Sequence, residues 1–152
     1  MLQVKLVLEA HSIYILMIKI NSIFIVDDDT ITIYGIKKIL TSVATCKDIF
    51  EFKNGQMAIN RIRKMIIEKS ELPDLIFLDI NMPIMDGWEF LEEFIKLPIT
   101  KKVKINIVTS SIDQFDMDKA ENFSSLTHHT VVYNSKPIRR ADIEKITEDI
   151  SC

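Results

Sequence analysis

The stretch IFLDINMPIMDGWEF, from Ile76 to Phe90, decides the fold. An apolar run ends at the carboxylate of Asp79, and turn-forming residues follow it at once: Asn81, Pro83, Asp86 and Gly87. The next letters, WEFLEEF, have the spacing of an amphipathic helix. A buried strand that ends at an acid and passes through a stiff loop into a helix makes that acid a candidate functional group.

The same strand-then-helix alternation extends in both directions from this stretch. Strands are predicted at KINSIFIV, ATCKDIFEF, DLIFLD, VKINIVT and TVVYNS, and helices at TITIYGIKKIL, QMAINRIRKMIIEK, GWEFLEEFIK, DQFDMDKAENF and ADIEKITEDI. Alternating strands and helices predict an α/β fold, with a parallel sheet covered by helices on both faces. Most of these strands are continuous apolar runs, which is typical of strands buried on both sides.

Length and composition indicate one globular domain. The 152 residues are 47% hydrophobic and 27% charged, with a net charge of -3. Basic residues occur in pairs rather than tracts, so direct binding of nucleic acid is not expected. Cys46 and Cys152 have no metal-ligating neighbours at useful spacing, which predicts free thiols in the cytoplasm, with Cys46 as a small buried hydrophobe.

The first nineteen residues fall outside the strand–helix pattern and are treated as an N-terminal extension, with the domain proper at 20–152. The longest apolar run, Ile13 to Ile18, is too short to span a bilayer, and Glu9 and His11 interrupt any signal-peptide core. Two interpretations stay open. The extension is an extra strand or helix, or the natural start is Met17.

Polar residues stand at the ends of four predicted strands. The polar residues are Asp27, Asp28 and Asp29 after the first strand, Asp79 after the third, Thr109, Ser110 and Ser111 after the fourth, and Lys136 after the fifth. Because the carboxyl ends of parallel strands share one edge, where α/β proteins bind ligands, these groups are expected to converge there.

The expected cluster of carboxylates, hydroxyl and ammonium suits phosphoryl chemistry. Packed carboxylates repel one another unless a cation compensates, and a few hard oxygen ligands suit Mg²⁺ or Mn²⁺. An aspartate is already ionised at neutral pH and can act as a nucleophile without a base. The metal, Lys136 and the Thr109 hydroxyl could each face one phosphoryl oxygen.

The chain resembles the receiver domain of two-component response regulators over about residues 20 to 150. The resemblance rests on four separated motifs in order, each at a strand end: IFIVDDD, LDINMPIMDG, IVTSS and VYNSKP. It implies the flavodoxin-like (βα)5 fold with a parallel sheet of order 2-1-3-4-5.

The resemblance also implies roles for the site residues. Asp79 would be the phosphoacceptor, Lys136 the phosphate-binding lysine, and Thr109 and Tyr133 the switch pair. The implied metal ligands are Asp28, Asp79 and the backbone carbonyl of Asn81, with Asp27 bound through water.

Several residues have other expected roles. The interval from Thr109 to Lys136 is longer than is usual in the family, with the extra length around NFSSLTHH. The shape of the fourth helix and of the loop that follows it is therefore not predicted. Asp29 is expected to cap the first helix. The remaining expectations are a solvated loop at His128–His129, packing of the active-site loop by Met82 and Met85, a turn at Asp86, and a positive φ or a close turn at Gly87.

Three functions follow as hypotheses. The first is a standalone receiver, a signalling switch rather than an enzyme, which assists its own phosphorylation and dephosphorylation. Its partners would be a histidine kinase or phosphotransfer protein and a downstream protein, because only fifteen residues follow Pro137 and no effector domain is expected. The alternatives are a haloacid-dehalogenase-type phosphatase, whose DxDx(T/V) pattern fails at Ile31, and a receiver-like scaffold that works without phosphorylation.

Overall fold

The computed structural model describes residues 19–150, so the predictions for the N-terminal extension and Cys152 lie outside the described residues. The strands are β1 Lys19–Val26, β2 Thr45–Phe52, β3 Leu75–Leu78, β4 Lys104–Thr109 and β5 Thr130–Ser135. The helices are α1 Thr30–Val43, α2 Gly55–Glu68, α3 Gly87–Phe94, α4 Gln114–Ser125 and α5 Arg140–Glu148.

All neighbouring strands are parallel and lie in the order β2-β1-β3-β4-β5, which confirms the predicted fold class. The register places Val26 beside Leu78 and Leu78 beside Ile107. β1 and β3 therefore end level, β4 extends two residues further to Thr109, and the loops that follow these strands share one edge of the sheet.

The core lies in two layers, one on each face of the sheet. On one face Phe24, Leu78 and Ile107 pack among residues of α2, α3 and α4; on the other Ile23, Ile25 and their neighbours pack with α1 and α5. All four residues of β3 are buried, as expected of a strand covered on both sides. Helices therefore cover on both faces the strand that leads to Asp79.

Side-chain caps begin the helices that flank the site. The carboxylate of Asp29 accepts hydrogen bonds from the Ile31 N–H (3.0 Å) and the Thr32 hydroxyl (2.9 Å), which confirms the predicted cap. Asp86 was expected to form a turn, but it is the N-cap of α3. Its side chain accepts from the Glu89 N–H (2.9 Å) and the Glu89 side chain accepts from its own N–H, forming a capping box.

Gly87 is required for a close approach of the chain rather than for a positive φ. A Cβ at this position would lie 2.4 Å from the carbonyl oxygen of Asp79. The positive φ in this loop belongs instead to Ile84 (70°), where the Met85 N–H donates to the Pro83 carbonyl (2.8 Å) and closes a γ-turn. The loop after Asp79 is therefore strained and held tightly against the strand end.

The prediction of a solvated His128–His129 loop is wrong for His129. His128 is exposed, but His129 is buried, its Nδ1 accepts a hydrogen bond from the Val103 N–H (3.0 Å), and its ring lies 4.9 Å from that of Phe94. Burial, and to a smaller extent the charge of the nearby His128, lower the pKa of His129 to about 4. The histidine is a neutral core residue that ties the α4–β5 connection to the start of β4.

Two remaining expectations are resolved more simply. Cys46 is a free thiol but only half-buried, because β2 is an edge strand; its Sγ donates to the Asp48 carbonyl (3.1 Å). Within residues 19–150, none of the helices combines the length and apolar character needed to cross a bilayer.

Candidate functional site

Backbone hydrogen bonds of the sheet hold two acids at the site. The Asp27 N–H donates to the Phe52 carbonyl and the Asp79 N–H donates to the Val26 carbonyl, both at 2.9 Å. These bonds continue the β2–β1–β3 ladders one residue past the strands. Each aspartate therefore has a fixed backbone, and its side chain starts from the carboxyl edge of the sheet.

Asp27, Asp28 and Asp79 form the acidic cluster that the sequence predicts. Each offers a carboxylate oxygen, and these oxygens lie within 4.8 Å of one another. Asp27 and Asp79 are buried, whereas Asp28 is exposed and opens the cluster to solvent. Oxygen-only donors with one face open to water fit Mg²⁺ or Mn²⁺, which keep several waters when protein-bound.

Lys136 joins this cluster from β5. Its Nζ lies 3.0 Å from Oδ2 of Asp27 and 3.7 Å from Oδ2 of Asp79. Its backbone N–H donates to the backbone carbonyl of Thr109 (2.7 Å). The pKa of Lys136 is raised: burial alone would lower it, but the hydrogen bond to Asp27 and the charges of both aspartates outweigh burial. The ammonium therefore stays charged between the two carboxylates.

The carboxyl group of Asp79 is strongly perturbed. Burial, and then the negative charge of Asp27, raise its pKa from 3.8 to about 6, although Lys136 and the N–H of Ile80 favour the ionised form. Burial likewise raises the pKa of Asp27. The charge of Lys136 therefore does not fully stabilise the ionised carboxylates of the cluster. A bound divalent cation, which the oxygen donors fit, would stabilise them further.

The predicted switch residues meet at the loop after β4. Thr109 is fully buried, and its Oγ1 accepts a hydrogen bond from the Ser111 N–H (3.3 Å). Tyr133 is half-buried against the α2–α3–α4 side of the core, and its hydroxyl donates to the Ser111 carbonyl (2.8 Å). Ser111 was among the polar residues expected at this edge but was assigned no role, because nothing in the run Ser110–Ser111 distinguishes one serine from the other.

The other residues of the loop after β3 are placed as follows. Asn81 is exposed, and the metal-binding role of its backbone carbonyl stays a prediction. Met82 and Met85 are partly buried against the core, as expected. The carbonyl of Met85 also accepts from the Gly55 N–H (2.9 Å), which fixes this loop to the start of α2.

Comparison with known proteins identifies this arrangement. The family model of the response regulator receiver domain matches residues 23–148. The chain belongs to this family. It is therefore a receiver domain, the phosphorylatable switch of two-component signalling, and the family that its motifs resemble is confirmed.

Curated relatives agree with this assignment. Sporulation initiation phosphotransferase F of Bacillus subtilis is 31% identical over 123 residues, which cover 80% of this chain and 90% of the relative. Response regulator Rcp1 of Synechocystis is 25% identical over 84% of each chain. Other relatives are longer: the match covers only 44% of the transcriptional regulatory protein HptR of Staphylococcus aureus, at 29% identity.

Solved structures of response regulators have the same fold. A two-component response regulator from Cytophaga hutchinsonii superposes with a TM-score of 0.73 at 27% identity, covering 87% of this chain and 97% of that chain. The phosphorylated cyanobacterial phytochrome response regulator RcpA gives a TM-score of 0.68 at 25% identity, covering 86% and 90%. The receiver architecture thus extends over nearly all of the described residues.

Proposed function

We propose that Asp79 accepts a phosphoryl group from a histidine kinase or a phosphotransfer protein, and that the chain signals by a change in a protein-binding surface. The observation that carries the proposal is the position of Lys136, whose Nζ is 3.0 Å from Asp27 and 3.7 Å from Asp79. An ammonium beside two buried carboxylates is placed to form a charge-assisted hydrogen bond with a phosphoryl group added to one of them.

The residues have complementary roles in the transfer. An oxygen of Asp79 forms the new bond to phosphorus while the bond from phosphorus to the donor nitrogen breaks. Lys136 faces one phosphoryl oxygen, and the Thr109 hydroxyl faces another. Thr109 can do so because its bond from the Ser111 N–H uses a lone pair and leaves its proton to donate. The negative charge is thus spread over fixed groups that need little rearrangement.

The proposed metal is Mg²⁺, or Mn²⁺ in its place. Asp28, Asp79 and the Asn81 carbonyl would hold it directly, and Asp27 through water. The cation would offset the burial and the charge of Asp27 that raise the pKa of Asp79, and it would neutralise phosphoryl charge. Asp28 suits the role because it is the solvent-facing member of the cluster.

We further propose that this receiver acts in the cytoplasm and passes its signal to another protein. The family match favours the receiver over the haloacid-dehalogenase alternative, in which the nucleophile would follow β1. Asp27, the first acid after β1, is engaged by Lys136 and by the Asp29 N–H (2.8 Å). The scaffold alternative normally goes with loss of the acid or the lysine, and both are present.

Phosphorylation in vitro tests the proposal. With Mg²⁺ and acetyl phosphate, intact mass analysis of the wild type should show one added phosphoryl group that hydroxylamine removes. Asp79→Asn should not be labelled, whereas Asp48→Asn, a change of an exposed acid on β2, should be labelled as the wild type is. Equal labelling of Asp79→Asn would contradict the assignment. Transfer from the host's histidine kinases would then identify the donor.

A further inference from the structure

Ser111 occupies the position between the two switch residues and contacts both through its backbone. Its N–H donates to Oγ1 of Thr109 at 3.3 Å, and its carbonyl accepts from the hydroxyl of Tyr133 at 2.8 Å. Thr109 belongs to β4 and Tyr133 to β5, so a single residue of the intervening loop links the two strands. The orientation of its peptide groups decides whether both bonds can exist together.

The side chain of Ser111 fixes that orientation through two hydrogen bonds of its hydroxyl. Its hydroxyl donates to Oδ2 of Asp116, in the first turn of α4, at 2.6 Å. The hydroxyl oxygen of Ser111 also accepts a hydrogen bond from the Asp113 N–H at 3.2 Å. A short hydroxyl–carboxylate bond is charge-assisted and stronger than a neutral one, and both partners are shielded because each is only part-exposed.

We propose that the Ser111–Asp116 hydrogen bond is a latch that positions the loop after β4, so that Thr109, Tyr133 and α4 move as one unit. The proposal rests on the proposed function at Asp79 and adds the residue that transmits its state. When the Thr109 hydroxyl turns to a phosphoryl oxygen, it pulls on the Ser111 N–H. The latch passes this displacement to α4, and the Ser111 carbonyl passes it to Tyr133.

The latch also accounts for the position of Tyr133 in the free protein. Its hydroxyl is already bonded to the loop and its ring already packs on the core, so the linked arrangement forms without a phosphoryl group. A contact made in one of two arrangements shifts their populations by its own differential free energy. The latch therefore biases the resting protein toward this arrangement, and its loss should release Tyr133 and α4.

The chain offers a built-in reporter for α4. Trp88, the single tryptophan, is buried at the start of α3 and stacks on Phe123 of α4, with ring centroids 5.8 Å apart. The ammonium of Lys119, also on α4, lies 5.0 Å from the centre of the Trp88 ring. A displacement of α4 changes both contacts, so the fluorescence of Trp88 reports it.

The experiment compares Ser111→Ala and Asp116→Asn with two matched controls in the full chain. Ser110→Ala removes the adjacent, exposed hydroxyl, and Asp118→Asn removes an exposed charge on the same helix. Beryllofluoride, a mimic of the acyl phosphate, is added with Mg²⁺. Amide NMR then follows Ile80 at the site and residues 114–125 and 133 at the proposed output, while Trp88 fluorescence follows α4.

We expect all four variants to shift the Ile80 amide as the wild type does. Ser111→Ala should reduce the shifts at residues 114–125 and 133 about tenfold or more, as expected for loss of one charge-assisted hydrogen bond. Asp116→Asn should reduce them less, because an amide oxygen can still accept from the hydroxyl, and Ser111→Thr should restore them. In the double variant Ser111→Ala/Asp116→Asn, the loss should not exceed that of Ser111→Ala alone.

The outcomes separate this inference from the proposed function. A full response of α4 and Tyr133 in Ser111→Ala, or an equal loss in Ser110→Ala, would overturn the latch while Asp79 remains the phosphoacceptor. A wild type that takes no phosphate at Asp79 would instead refute the proposed function. The latch would then be judged in the free protein, where Ser111→Ala alone should change Trp88 fluorescence and the Tyr133 amide and Ser110→Ala should change neither. Absence of that difference would refute the latch as well.

Discussion

Replacing Asp79 with Asn should stabilise the metal-free protein at neutral pH, although it removes the proposed phosphoacceptor. The buried carboxylate is ionised against both its desolvation and the charge of Asp27. Asparagine has nearly the same shape, and its Oδ1 can keep the hydrogen bond from the Ile80 N–H. Lys136 keeps its closer partner, Asp27, at 3.0 Å. The change therefore removes a repulsive charge and gives up the longer ion pair of Asp79 with Lys136 (3.7 Å), while these closer contacts stay in place.

The structure sets the size of the effect. The pKa of Asp79 rises from 3.8 to about 6, and a tenfold change in proton affinity corresponds to about 1.4 kcal/mol. Ionisation in the folded state therefore costs about 3 kcal/mol at pH 7. The buried amide of asparagine has a smaller desolvation cost of its own, so the expected gain in the free energy of unfolding is about 1 to 3 kcal/mol.

The pH dependence gives this prediction its signature. A folded-state pKa above the unfolded value means that the stability present below pH 3.8 is lost as the pH rises through about 6. The advantage of Asp79→Asn over wild type should thus be near zero below pH 4, grow between pH 4 and 6, and stay constant above. Urea unfolding in EDTA at pH 4, 5, 6 and 7 measures it, with Asp48→Asn as control. A variant no more stable than wild type at pH 7, or equally favoured at pH 4 and 7, would refute the reasoning.

Three further predictions follow from the site and the core. Asp28→Ala should stay folded but lose Mg²⁺-dependent phosphorylation of Asp79, and unchanged Mg²⁺ affinity in a titration would place the metal elsewhere. Thr109→Ala should still accept phosphate at Asp79, but beryllofluoride should shift the amides of residues 111–124, 130–135 and 138–150 much less than in wild type; equal shifts would show that the hydroxyl is not the transmitter. Because the pKa of His129 is lowered from 6.5 to about 4, its contribution to stability should be lost as the pH falls from about 6.5 to 4. In the Asp79→Asn background, His129→Phe should make the urea midpoint of unfolding depend less on pH between 4 and 6.5. An unchanged pH dependence would show that another group titrates.

Features determined by local sequence could be predicted. The strand that ends at Asp79 is apolar throughout, and an acid directly before a helix-periodic segment, such as Asp29, has few roles other than a cap. The gathering of the polar strand ends into one site follows from the parallel sheet alone, since all its carboxyl ends share an edge. These inferences need only periodicity and topology.

Features determined by distant partners could not be predicted in the same way. His129 is buried because the Val103 N–H, twenty-six positions away, needs an acceptor, and because Phe94 offers a ring to pack against. Nothing in the residues beside His129 indicates either partner. Gly87 is similar: its sequence setting is compatible with a positive φ, but the nearby Asp79 carbonyl is what excludes a side chain.

The switch shows most clearly where prediction from sequence ends. Thr109 and Tyr133 can be located because each stands at a defined place on its strand, but their resting arrangement depends on how the loop between β4 and α4 folds. That arrangement is held by a few hydrogen bonds through Ser111, each of which contributes on the order of 1 kcal/mol. Such contributions are small beside those that determine the fold, yet they are comparable to the free energies that separate two populated states. The fold therefore specifies which residues are placed to form the proposed switch, while contacts particular to this chain specify its resting position.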